Sequence, residues 1–185
     1  MISDITADAE NKMKATLEHT MEEFAAIRTG RAHPAMLNKI TADYYGAPTP
    51  LQQLATFQVP EARTIMITPF DRSAMNAIEK AIRDSDLGGN PSNDGNVIRV
   101  TLPALTEERR KEYIKMARGK AEESRVAMRN VRRTAIDQMK KLEKDKEINE
   151  DELARSEKSM DALTKKYTDQ VDDLLKGKEA ELLEV

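Results

Sequence analysis

The chain contains no cysteine and no tryptophan, and only two of its 185 residues are histidine. Without cysteine there can be no disulfide, no thiolate metal site and no cysteine nucleophile. His19 falls in a helical stretch and His33 in a linker. No His/Glu pair has metal-ligand spacing, so no metal is expected. Aromatics make up 4% of the chain against 34% charged residues. That balance speaks for packed helices rather than a large β core. Apolar runs are short too: none approaches the ~20 residues that span a bilayer, and the N-terminal MISDITADAENKMK lacks the apolar stretch of a signal peptide. The expectation is a cytoplasmic protein with no membrane association. No nucleophile stands beside a base, and the acid pairs Glu22-Glu23 and Asp172-Asp173 fall on helical stretches where carboxylates are solvated. The Gly88-Gly89 segment lacks the strand–loop–helix setting of a phosphate loop. An enzyme is therefore not expected, and neither is a cofactor or a small-molecule substrate.

Charge is abundant and unevenly spread. The net charge is −3, but residues 1–27 carry 2 basic and 6 acidic groups, and residues 28–106 carry 8 and 7. Residues 107–146 carry 14 and 8, and residues 147–185 carry 6 and 12. One strongly basic segment inside an acidic chain marks a local polyanion site, because the global field repels nucleic acid and only a patch attracts it.

That segment reads as one long helix. Ile114, Ala121, Met128, Ala135 and Leu142 form one apolar row, with Ala117, Ser124, Val131 and Gln138 as its partner row. Lys111, Arg118, Arg125 and Arg132 recur every seven residues beside this seam, and Arg129 and Arg133 widen the stripe. Two readings follow. In the first, the row pairs with carboxylates on the two acidic helices that flank it in sequence. Alternatively, its forks face phosphate, which arginine engages bidentately. Gly119 in mid-helix costs about 1 kcal/mol relative to alanine. Either a close neighbour or simple tolerance accounts for it.

A first helix is predicted over 3–28, with Ser3 as N-cap and Ile5, Ala9, Met13, Leu17, Met21, Phe24 and Ile27 at three- and four-residue steps. Six of the seven prolines then lie between Ala32 and Leu102. Strands are predicted at Ile40–Tyr45, ended by GAPTP, and at Thr56–Val59, Thr64–Thr68 and Val97–Thr101. A helix capped by Asp71 or Ser73 separates the last two. Thr106 caps the basic helix, Asn149 with Glu152 resembles a capping box, and a third helix carries Leu153, Met160, Leu163, Tyr167, Val171 and Leu174 on its seam. One amphipathic helix cannot bury its face alone. The first must therefore return to the other two, which gives an α+β chain: an elongated three-helix bundle with a small β/α/β domain inserted after its first helix. Two short crossings, near Thr29–Arg31 and Leu102–Ala104, can act as a hinge.

Several long motifs resemble the ribosome recycling factor family. They are IRTGRA at Ile27–Ala32, DYYGAPTPLQQLA at Asp43–Ala55, SDLGGNPSNDG at Ser85–Gly95, LTEERRKE at Leu105–Glu112, VAMRNVRRTA at Val126–Ala135 and the terminal KEAELLEV. The resemblance covers the whole chain in order. It implies a bundle domain of residues 1–29 plus 105–185, a β/α/β domain of residues 31–103, hinges near 29–31 and 102–105, and an L shape like that of tRNA. It also implies a monomer without catalytic activity that binds the 70S ribosome after termination. With elongation factor G and GTP, such a factor splits the ribosome and frees mRNA and tRNA. In the family, arginines of the long basic helix contact 23S rRNA of the 50S subunit. These match Arg110, Arg129 and Arg132, and the same stripe adds Arg118, Arg125 and Arg133. Arg28 and Arg31 match the hinge motif, whose residues are Thr29, Gly30, Arg31, Leu102, Pro103 and Ala104. Two other functions fit the residues alone: a helical scaffold that dimerises through its seam, and a general RNA-binding module. An inserted hinged domain argues against the scaffold. Tight, specific sedimentation with the 50S particle would separate recycling from general RNA binding.

Overall fold

The computed structural model describes residues 1–184; Val185, the last residue of the KEAELLEV motif, lies outside them. The chain divides into two compact units. The first holds Met1–Phe24 and Ile114–Ala180. The second holds Ala25–Tyr113 with the segment from Glu181 on.

The first unit is a bundle of α1 (Ile2–Ala25), most of α3 (Glu107–Lys144) and most of α4 (Glu150–Leu183). Its core stacks Ala9, Met13 and Phe24 on Ala117, Ala121, Met128, Ala135, Met139, Met160, Tyr167 and Val171. Three alanines, Ala117, Ala121 and Ala135, lie among the buried residues of α3, beside Met128, Ile136 and Met139. Buried hydroxyls satisfy themselves within this core. Thr20 Oγ1 donates to Ser124 Oγ at 2.8 Å, and Thr164 Oγ1 donates to the Met160 carbonyl at 2.8 Å. The α3–α4 turn contains Lys146 at φ 62, and Asn149 Oδ1 accepts from the Glu152 amide at 2.8 Å to start α4.

The seam of α3 departs from strict heptads. Gln138 is exposed and Leu142 only half-buried, whereas Ile136 and Met139 are buried. A straight helix drifts against a seven-residue repeat, so the buried face moves to later positions along 38 residues. Beyond its own helical turn, no atom of the described residues comes within 4 Å of where a Gly119 side chain would start, so no packed neighbour among them requires that glycine. The first helix ends at Ala25 rather than Arg28.

In the second unit, α2 (Met75–Arg83) packs beside a four-stranded antiparallel sheet of order β3-β4-β6-β5. The strands are β3 (Ala55–Glu61), β4 (Thr64–Pro69), β5 (Asn90–Asn93) and β6 (Ile98–Thr101). Ile65, Ile67, Ile98 and Val100 from the central strands meet Ile78 and Ile82 of α2, with Leu37, Leu51 and Leu102 closing the core. Two strands were not expected. GAPTP does not merely end a strand: β1 (Thr41–Tyr44) and β2 (Ala47–Pro50) form a hairpin across Tyr45 and Gly46, at φ 50 and 81. Positive φ at both loop residues is the type I′ geometry that matches strand twist. Asn90–Asn93 pairs as an edge strand, where its proline withholds no central hydrogen bond.

The two crossings are knitted into the second unit. The Ala32 amide donates to the Ala62 carbonyl and the Leu102 amide to the Arg63 carbonyl, both at 2.7 Å. Residues 25–29 and 105–113 thus group with the sheet rather than with the bundle. Burial of Ile27, Leu105 and Tyr113 accompanies this grouping.

Candidate nucleic-acid interface

The basic helix is built by local rules. Thr106 Oγ1 accepts from the Arg109 amide at 3.1 Å, Glu107 and Glu108 occupy the first turn, and Lys141 and Lys144 the last. Acid at the start and base at the end both complement the helix dipole. Burial of Ala117, Ala121, Ser124 and Met128 then fixes the rotation of α3, which turns the arginine row along the edge shared with α4.

Three members of the sevenfold row are ion-paired across that edge. Arg118 Nε lies 2.8 Å from Glu179, Arg125 Nη1 3.1 Å from Asp172 and Arg132 Nε 2.6 Å from Asp161. Arg125 also reaches Glu122 at 3.3 Å, and its side chain is only 20% exposed. The pairing anticipated as an alternative to phosphate contact is therefore present, with its carboxylates on α4. Lys111 pairs within α3, with Glu107 at 3.3 Å. Arg129 makes one long contact, Nη1 to Glu122 at 3.4 Å, and stays half exposed. Arg133 is exposed and has no ion-pair partner among the described residues.

The row therefore splits by chemistry. Arg125 is consumed by two carboxylates. Arg118 and Arg132 are held through Nε alone, at 65% and 41% exposure, and among the described residues no protein acceptor engages their Nη groups. Those outer edges, with Arg129 and Arg133, are free to bind phosphate oxygens. A helix face of this kind gives affinity and position without reading base sequence.

The remaining candidates lie elsewhere. Arg110 is half-buried, and its Nε is buried with no hydrogen-bond partner among the described residues. Arg31 is exposed, 4.0 Å from Glu184. Arg28 is only 7% exposed. Its Nη2 donates to the Pro103 carbonyl, and Gly88 lies against its Nη1. Desolvation lowers its pKa, and the positive charges of Arg109 and Arg63 add to that. This buried guanidinium, with no ion-pair partner among the described residues, works as a tie between the two crossings. Of the hinge positions, Thr29 and Leu102 are buried, while Pro103 and Ala104 are exposed. Thr29 Oγ1 donates to the Arg31 carbonyl at 3.1 Å. Gly30 does not have positive φ, and a side chain there would meet only the Glu184 carbonyl at an ordinary 3.6 Å.

Carboxylates on the flanking acidic helices were anticipated as partners, but not which ones. Asp161, Asp172 and Glu179 are spaced 11 and 7 residues apart, whole numbers of helical turns, and run antiparallel to Arg132, Arg125 and Arg118. That complementary spacing was the available signal. Among the described residues no cluster of three or more His, Asp or Glu could hold a metal ion, and no helix is long and apolar enough to cross a membrane.

The profile of the family described as "Ribosome recycling factor" matches residues 20–183. The chain belongs to the ribosome recycling factor family. The ribosome-recycling factor of Cutibacterium acnes is 68% identical over 184 residues, covering all of both chains. Those of Nocardioides sp. and Streptomyces coelicolor are 63% and 62% identical over 185 residues, again over all of both chains. A solution structure of the ribosome recycling factor superposes with a TM-score of 0.76 at 44% identity, covering all of this chain and 98% of that one. The Thermus thermophilus factor, described with elongation factor G of Escherichia coli on the post-termination complex, superposes at 0.70 and 44% identity with full coverage of both.

Proposed function

We propose that this chain is a cytoplasmic recycling factor for bacterial ribosomes. It binds the post-termination 70S ribosome and, with elongation factor G and GTP, promotes dissociation into subunits and release of mRNA and tRNA. The observation that carries this is identity of 60% and more to ribosome-recycling factors over the whole chain, which leaves no part of the molecule without a counterpart. The chain contributes binding and shape rather than bond chemistry. GTP hydrolysis belongs to the partner.

The outer edges of Arg118 and Arg132, together with Arg129, Arg133 and the half-buried Arg110, engage phosphates of 23S rRNA on the 50S subunit. A folded RNA surface is read by shape and backbone, so a helix face with fixed cations suffices. The acidic remainder of the chain opposes loose attachment to other RNA. The segments at Thr29–Arg31 and Leu102–Ala104 serve as the hinge.

The test is a splitting assay on purified post-termination ribosomes. Light scattering should fall, and sucrose gradients should show free subunits, only when the chain, elongation factor G and GTP are all present. Ribosomes left intact under those conditions would overturn the reading.

A further inference from the structure

We propose that Asp161 is a positioning residue for ribosomal RNA binding: it holds Arg132 by Nε so that the outer guanidinium edge meets a phosphate preformed. The proposal rests on the functional reading above.

The geometry is specific. Asp161 Oδ1 accepts from Arg132 Nε at 2.6 Å, while both side chains keep 41% and 55% of their surface exposed. An exposed arginine has several rotatable bonds, and freezing them on binding costs affinity. A carboxylate on Nε freezes them in advance and leaves Nη1 and Nη2, which have no protein acceptor among the described residues, for the fork geometry that suits phosphate. Glu179 repeats the arrangement on Arg118 Nε at 2.8 Å, about four helical turns back along α3. Arg125 shows the contrast, because its carboxylates take both Nε and Nη1, and its side chain is largely covered.

This assignment has a counterintuitive sign. A carboxylate beside a polyanion site should weaken binding through its charge, so its removal should tighten binding. A positioning role makes removal of the acceptor weaken it. Asp161→Asn and Asp161→Leu delete the same charge, but only Asn keeps an oxygen that can accept from Nε. They therefore separate the two effects.

The experiment is equilibrium binding of the full chain and both variants to purified 50S particles over a salt series, with circular dichroism melts alongside. Asp161→Asn should bind more tightly than the unmodified chain, having lost a like charge and kept the acceptor. Asp161→Leu should bind about two- to tenfold more weakly than Asp161→Asn, the range set by immobilising one long side chain. In the Arg132→Lys background, which has no Nε fork to hold, the difference between Asn and Leu should vanish. Equal binding by Asp161→Asn and Asp161→Leu at equal folded fraction overturns the positioning role, as does a difference that persists unchanged with Arg132→Lys. Absence of 50S binding by the unmodified chain overturns the functional reading instead.

Discussion

At the scale of residues, α4 decides which arginines are available. Arg132→Glu should abolish tight 50S binding yet change stability by less than about 1 kcal/mol, since its pair with Asp161 is exposed. Arg125→Glu should do the reverse. It puts a third carboxylate against Glu122 and Asp172 in a place only 20% exposed, and should cost about 1–2 kcal/mol of stability with a smaller loss of binding per folded molecule. Chemical denaturation and 50S binding measured on both variants check the pair. The salt slope of binding should also fall by about one unit for Arg132→Glu, one phosphate contact. A second residue-scale prediction concerns pH. Amide and hydroxyl bonds from Ser73, then the Tyr44 hydroxyl at 2.9 Å, hold the Asp71 carboxyl below its ordinary value. The same contact pushes the Tyr44 phenol up to about 12. A depressed carboxyl contributes stability that is present above its unfolded pKa, about 3.9, and lost as pH falls through the folded value. Asp71→Ala should therefore be less stable than the unmodified chain at pH 6, with the gap narrowing as pH falls below about 4. Urea melts at the two pH values measure this, and a gap that widens on acidification would contradict it.

At the scale of elements, capping and turn chemistry set the boundaries. Thr106 and Asn149 cap α3 and α4 as their sequence context suggests. The β1–β2 hairpin was hidden, because Ala47-Pro48-Thr49-Pro50 contains two prolines and reads as a breaker. It forms because a two-stranded ribbon offers its prolines an outer edge. Gly89 is the glycine on which packing depends most. A Cβ there would lie 2.8 Å from Val100 Cγ1 and 3.0 Å from the Thr101 carbonyl, and Val100 is fully buried. Gly89→Ala should therefore destabilise the second unit by about 1–3 kcal/mol, the range for overpacking. Gly119→Ala should stabilise the bundle by up to about 1 kcal/mol, as nothing occupies that space. Thermal melts of the two variants should move in opposite directions.

At the scale of the whole molecule, the bundle is assembled from chain segments far apart in sequence. Thr20 bonds Ser124 and Tyr167 bonds Glu10, so α1 completes polar as well as apolar contacts of α3 and α4. A fragment of residues 105–185 loses Met13, Phe24 and these hydroxyl partners. It should be molten or self-associating rather than a monomer with a cooperative melt. Sedimentation equilibrium with near-UV and far-UV circular dichroism tests this, and a monomeric, cooperatively melting fragment would contradict it. Adding a peptide of residues 1–29 should restore cooperativity, because it returns the missing face.

The sequence by itself determined the three helices, the caps of α3 and α4, the inserted sheet module and the family; Ser3, expected as the first cap, lies inside α1. Periodicity, turn residues and long motifs are local signals that need no knowledge of neighbours. It also placed a stripe of cations on one edge of α3, because rotation about a helix follows from the buried seam. It left open whether the stripe was a ladder or a binding face, and the fold makes it partly both. Arg118, Arg125 and Arg132 meet carboxylates 61, 47 and 29 residues away, distances over which no local pattern acts. Arg28 matches the hinge motif in sequence, and it is the packing of Pro103 and Gly88 around it that leaves it only 7% exposed. An arginine's sequence neighbours fix where its Cα lies. Only tertiary packing decides which of its nitrogens are spent on protein acceptors and which remain for a partner.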